Sequence, residues 1–73
     1  MDQVYIKDDY IKLEQAMKLS GAISSGSDAK YEIKDGAVSV NGAVEYARGK
    51  KLRIGDRFTY KDYDYQICRA EKL

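Results

Sequence analysis

Turn-forming residues recur along this sequence, and they limit what the chain can fold into. Ser20-Gly21, Gly36, Asn41-Gly42 and Gly55-Asp56 stand at intervals between apolar segments. Glycine and asparagine tolerate a positive φ, so each of these positions favours the end of a helix or a tight turn. The sequence therefore predicts several short helices and strands instead of a few long ones.

Two segments have the composition of short helices. The first, Leu13–Leu19, consists of good helix formers and carries a narrow apolar stripe of Leu13, Ala16 and Met17. Lys12 is a poor N-cap residue, which leaves the start of this helix open.

The second helix is expected to begin after Ser25 and to end at Gly36. The Ser25 hydroxyl can accept a hydrogen bond from an amide of the first turn, and Asp28 stands where the acidic partner of a capping box would. Ala29 and Ile33 lie four residues apart and should face the core.

The remainder of the sequence is typical of short strands. Asn41-Gly42 favours a type I′ turn, and a hairpin is expected about Lys61-Asp62-Tyr63-Asp64. The expected strands are residues 4–6, 38–40, 43–46, 52–54, 57–60 and 65–68. We expect an α+β fold in which two short helices pack against a small, mainly antiparallel sheet of about four to five strands.

Length and composition narrow the class of protein. The chain has 73 residues, which predicts one domain spanning residues 1–73. Its single cysteine, Cys68, allows no internal disulfide, as in proteins of reducing compartments. The acidic N-terminus lacks the apolar core of a signal peptide, and no apolar run reaches membrane-spanning length. A cytoplasmic protein with no membrane partner is expected; the oligomeric state stays open, with a monomer favoured.

The sequence offers no constellation for catalysis. It contains no histidine, the most common general base, and Cys68 lies in an expected strand without a base to activate it. Asp8-Asp9 and the pair Asp62 and Asp64 favour turns over a metal site, because neither resembles a calcium loop. We therefore expect no enzyme activity, no metal and no cofactor.

Positive charge is concentrated in the middle of the chain. The net charge is only +1. Residues 30–53 nevertheless contain six basic and three acidic side chains, and Tyr46 to Arg53 contain four basic residues and no acid. Salt limits the reach of each charge to about 10 Å, so a local cluster can attract a polyanion even when the total is near neutral. If Lys51 and Arg53 alternate with Leu52 in a strand, they share one face.

Four motifs in fixed order resemble one family. They are Leu19-Ser20-Gly21, then Ser25-Gly26-x-x-Ala29-Lys30, then Gly36-x-Val38-x-Val40-Asn41-Gly42, and then Lys50-Lys51-Leu52-x-x-Gly55-Asp56. Together they resemble the RNA-binding domain named after the small-subunit ribosomal protein S-four, also called the alpha-L motif. The resemblance covers roughly residues 11–67. The size of the chain and its Ser-Gly helix opening are similar to the small stand-alone bacterial members, the YbcJ-like proteins.

The resemblance implies a non-catalytic module that grips structured RNA, plausibly ribosomal or transfer RNA, with the ribosome as a possible partner. The phosphate backbone would lie against the N-terminus of the second helix and against the basic run of residues 48–51, which we call the basic loop. The candidate RNA-binding residues are Lys18, Ser25, Gly26, Ser27, Lys30, Lys34, Asn41, Gly42, Arg48, Lys50, Lys51 and Arg53.

Seven tyrosines leave a second function open. Tyr31 and Tyr46 fall near the basic elements, and Tyr63 near a hairpin tip, where rings could stack on bases. Packing in the core or across strands is the expectation for most of the seven. A protein-interaction adaptor that uses the tyrosine-bearing face of the sheet is therefore the alternative to RNA binding.

Overall fold

The computed structural model describes residues 2–70 and confirms the α+β class. A five-stranded sheet has the order β1-β7-β6-β3-β4, and β2 pairs with β5 in a separate two-stranded sheet. No helix within residues 2–70 is long and apolar enough to cross a membrane. The elements are β1 (Asp2–Ile6), β2 (Tyr10–Lys12), α1 (Leu13–Leu19), α2 (Gly26–Lys34), β3 (Val38–Val40), β4 (Ala43–Val44), β5 (Lys51–Arg53), β6 (Arg57–Tyr60) and β7 (Tyr63–Arg69).

The main sheet differs from the sequence expectation in detail. β1 runs parallel to β7, while the remaining pairs are antiparallel. β4 ends at Val44 instead of Tyr46, and Ile54 lies beyond β5 in an exposed turn. The β6–β7 turn consists of Lys61 and Asp62 alone, with Lys61 at φ 57°, so Tyr63 already belongs to β7.

One hydrophobic core joins both helices to the sheets. The predicted apolar faces of α1 and α2 are buried, with Met17 and Ile33 fully covered. Phe58 and Tyr65 face each other across β6 and β7, and their rings stack at 4.8 Å between centroids. Leu52 brings β5 into the same core, which ties the two-stranded sheet to the rest of the molecule.

The ends of α2 follow the predicted signals. The Oγ of Ser25 accepts a hydrogen bond from the amide of Asp28 at 3.2 Å. At the other end Gly36 adopts φ 83°, and its N–H donates to the carbonyl of Ile33. The N–H of Ala37 donates to Glu32, which completes a Schellman motif.

The start of α1 is stabilised by a distant segment. The Lys12 side chain makes no capping hydrogen bond. Instead the amide of Leu13 donates to the carbonyl of Lys50 at 2.9 Å, and the amide of Glu14 donates to the carbonyl of Arg48 at 3.1 Å. Two of the first-turn amides, which have no intrahelical acceptor, are thus satisfied by the chain that leads into β5.

Asn41 connects two turns that are distant in sequence. It adopts φ 50° beside Gly42 at φ 88°, as the predicted type I′ turn requires. Its Nδ2 donates to Oδ1 of Asp56 at 3.3 Å, and its Oδ1 accepts from the amide of Arg57 at 3.0 Å. Asp56 Oδ2 also accepts from the amide of Arg53 at 2.8 Å, so the end of β5 is fixed by the same residues.

We expect Asn41→Ala to lower the free energy of unfolding by about 2–4 kcal/mol, because two hydrogen bonds are lost and alanine is strained at a positive φ. Asn41→Gly loses the same bonds without the strain and should be more stable than Asn41→Ala by about 1 kcal/mol. Urea denaturation measures both differences. Equal stability of the two variants and the unmodified protein would contradict this role.

Stability should also depend on Tyr65 at alkaline pH. Burial raises the pKa of its hydroxyl above the usual 10.0, with smaller contributions from the charges of Asp2 and Tyr63. The fold favours the neutral phenol, so this stabilisation is intact below the unfolded-state pKa and is lost as pH rises through the folded-state pKa. Tyr65→Phe cannot ionise, and denaturation series should show a shallower alkaline loss of stability for this variant. Identical losses would show that Tyr65 does not contribute.

Candidate nucleic-acid interface

The two-stranded sheet presents a row of cations to solvent. Residues on one side of each strand, Ile11 and Leu52, pair with each other and turn toward the core. Alternate residues of a strand point to opposite faces, so their neighbours share the outer face. We call this face the cationic ribbon; it consists of Tyr10, Lys12, Lys51 and Arg53, all of them exposed.

Tyr10 orders one cation of the ribbon. The Nζ of Lys51 lies 4.8 Å from the centroid of the Tyr10 ring, a cation–π contact between diagonal neighbours of the two strands. This contact orients the ammonium group without neutralising its charge. The side-chain hydrogen bonds within residues 2–70 use hydroxyl, amide, thiol and carboxylate groups, and none uses a lysine or arginine side chain.

The loop before β5 extends the positive surface. The carbonyls of Arg48 and Lys50 are turned toward α1, and both side chains are exposed. Nearby carboxylates are engaged by backbone amides: Glu45 Oε2 accepts from Ala47 at 3.1 Å, and Asp56 accepts from Arg53. These carboxylates keep their negative charge, and Asp8 and Asp9 share a recess with Tyr10 and Lys12. The cations of the ribbon and of the loop before β5 can still attract an anionic polymer, but acidic side chains border this surface.

The α2 flank forms a second positive surface. Lys30 and Lys34, four residues apart, share this flank with Ser27 and the exposed ring of Tyr31. Asp35 lies beside them and reduces the local charge.

The segment that precedes the basic loop reaches the C-terminal end of α2. The ring of Tyr46 lies 3.4 Å from where a Cβ on Gly36 would stand, so the segment before the basic loop covers this end of the helix. Ser25 and Ser27 stand at the opposite end, and nine helical residues span about 14 Å. The α2 N-terminus and the basic loop therefore offer two separate contacts instead of one compact site.

Other candidate residues are placed differently. The amide group of Asn41 is occupied by Asp56 and Arg57, which gives this side chain a role in holding the fold. Gly42 is exposed in the same turn. Lys18 lies in the last turn of α1 and lines a groove that faces β1.

Sequence reasoning missed Tyr10 and Lys12 as parts of the interface. The sequence Tyr10-Ile11-Lys12 alternates exposed and apolar residues, which was the available signal for a strand, but three residues are too few to carry it alone. Most of the seven tyrosines were expected to pack in the core or across strands. Tyr60 and Tyr65 are buried and the other five are exposed. Of the exposed ones, Tyr5, Tyr10 and Tyr63 lie opposite Cys68, Arg53 and Tyr60 on neighbouring strands.

Comparison with known proteins identifies the family of the chain. The family model described as "S4 domain" matches residues 4–68. "Putative RNA-binding protein YbcJ" of Escherichia coli (strain K12) is 33% identical over 61 residues, which cover 84% of this chain and 87% of that protein. "Probable ribosome maturation protein RlbA" of Bacillus subtilis (strain 168) is 38% identical over 53 residues, covering 73% of this chain and 75% of that protein. The chain belongs to the S4 domain family.

Proposed function

We propose that this chain is a non-catalytic, single-domain, cytoplasmic protein that binds the phosphate backbone of structured RNA. Membership of the S4 domain family supports RNA as the ligand. The printed names of the two relatives, an RNA-binding protein and a ribosome maturation protein, favour ribosomal RNA and the ribosome, with transfer RNA as the other candidate. The observation that carries the proposal is the cationic ribbon together with the basic loop.

The ribbon would form the first contact with RNA. Arg53 can hold a phosphate through two parallel hydrogen bonds, while Lys12 and Lys51 act as point charges on neighbouring phosphates. Arg48 and Lys50 would extend this contact along the same strand of RNA. Because the side chains are exposed, binding requires little rearrangement of the core.

The α2 flank would form the second contact, some distance along the RNA. The amides of Gly26 and Ser27 belong to the first helical turn and have no intrahelical acceptor, which favours an anion there. Lys30 and Lys34 continue along the helix toward the basic loop. Because a rigid helix fixes the distance between the two contacts, only an RNA with phosphates at a matching distance can bind both. Recognition would therefore depend more on RNA shape than on base identity.

The sheet face that a tyrosine-based protein adaptor would use is covered by the core. Tyr60 and Tyr65, the tyrosines within the β6–β7 face, are buried against the core. The exposed tyrosines instead lie on β1, β2, α2, the loop after β4 and the first position of β7. No single sheet face therefore carries them, which favours RNA binding over a tyrosine-based protein interface.

Charge reversal tests the ribbon. Lys51→Glu should weaken binding to a structured RNA regardless of its sequence and reduce the salt slope of affinity by about 1, because one phosphate contact is lost. Lys61→Glu is the matched control: Lys61 also stacks over a tyrosine, at 5.3 Å from the Tyr60 ring, but lies in the β6–β7 turn outside the ribbon. Fluorescence anisotropy over a salt series measures both variants.

For the unmodified protein the log–log slope of affinity against salt should be about −3 to −5, corresponding to about four to six phosphates. If Lys51→Glu and Lys61→Glu weaken binding equally, the effect is one of net charge and the ribbon has no special role. Unchanged affinity in the Lys51 variant would contradict the proposal.

A further inference from the structure

A groove next to the ribbon has the character of a binding site. It lies between the segment that joins β1 to β2 and the outer side of α1. It is shallow and open to solvent, and it offers about 710 Å³ of space. Clefts that hold small organic groups measure about 300–1,000 Å³. Its walls include Tyr5, Tyr10 and Leu19, which are 54%, 38% and 59% exposed. Three large apolar side chains exposed side by side are more typical of a binding surface than of apolar residues scattered singly over a protein.

The walls suit a flat aromatic group. The hydroxyl of Tyr5 hydrogen-bonds to Oε1 of Gln3, which restrains the ring on the edge strand β1. Nucleobases stack on such rings whatever their sequence, because every base has a π-face.

Tyr10 connects the groove to the cationic ribbon. Its ring forms part of the groove and also lies under the ammonium of Lys51. An RNA strand whose phosphates contact the ribbon therefore passes the mouth of the groove. Continuity with this positive surface makes RNA a better occupant than an apolar peptide.

We propose that the groove receives an unpaired base of the bound RNA, stacked against Tyr5 and Tyr10. The inference rests on the proposed function, since the ribbon must first bind the backbone. Lys7 and Lys18 lie at the groove and can pair with the phosphates on either side of the base. The groove also contains the carboxylate of Asp8, which repels phosphate and accepts hydrogen bonds from amino groups of a base edge.

The proposal narrows the class of RNA. A base can enter the groove only where it is not paired, while the ribbon and the α2 flank respond to the regular backbone of a helical segment. The preferred target would therefore carry a bulged or junction nucleotide beside a helix. The groove would distinguish such a target from a continuous duplex of the same charge.

The experiment compares two RNA hairpins with equal numbers of phosphates. One carries a single bulged adenosine, and in the other the same nucleotide lacks its base. The unmodified protein should bind the first about 5- to 150-fold more tightly, the range of one stacked base. Tyr5→Leu should abolish this preference, and Leu19→Ser should reduce it. Tyr63→Leu, a change of an equally exposed tyrosine outside the groove, should leave it intact.

The outcomes separate this inference from the proposed function. If the unmodified protein binds both hairpins equally while Lys51→Glu weakens binding to both, the groove proposal is wrong and backbone binding stands. If Lys51→Glu changes neither affinity, the proposed function fails and the groove proposal fails with it. A preference that survives both Tyr5→Leu and Leu19→Ser places base recognition elsewhere and overturns the inference.

Discussion

The interface depends on the way the first turn of α1 is satisfied. A helix N-terminus needs acceptors for its leading amides, and here the carbonyls of Arg48 and Lys50 supply them to Leu13 and Glu14. This fixes β5 beside β2 and places Leu52 in the core. With Leu52 buried, its neighbours Lys51 and Arg53 lie on the opposite face of the strand, exposed to solvent.

The N-termini of the two helices differ in how their amides are satisfied. At α1 the amides of Leu13 and Glu14 already donate to the carbonyls of Lys50 and Arg48, so these two donors are not available to a phosphate. At α2 the cap is a single hydroxyl, that of Ser25, which satisfies one amide and leaves the first residues of the helix able to contact an anion. The chain thus uses one helix end to build the ribbon and the other as a possible contact.

Much of the fold could be predicted because its signals are local. Ser25 and Gly36 mark the ends of a helix by their own chemistry, and Asn41-Gly42 specifies its turn. The strand expected at residues 52–54 lies one residue earlier, at Lys51–Arg53, where Lys51 and Arg53 are exposed and Leu52 is buried. These signals need no knowledge of partners distant in sequence.

The rest depends on pairing between distant segments. β2 is three residues long and becomes a strand only because β5 lies beside it. The pattern of Tyr10 and Lys12 was therefore too weak to predict a strand from the sequence. The parallel pairing of β1 with β7 could not be predicted for the same reason, because it joins the two ends of the described chain. Sequence proximity also does not reveal how far apart the candidate phosphate contacts lie: α2 holds Ser25 about 14 Å from its other end.

RNA phosphates are expected to contact the cationic ribbon on the outer face of β2 and β5. NMR of the labelled protein during titration with a structured RNA tests this contact through the amide chemical shifts. The largest changes are expected at residues 10–12 and 48–53, with smaller changes along the exposed flank of α2. Changes centred on the β6–β7 turn or on β4, with residues 10–12 and 48–53 unaffected, would contradict it.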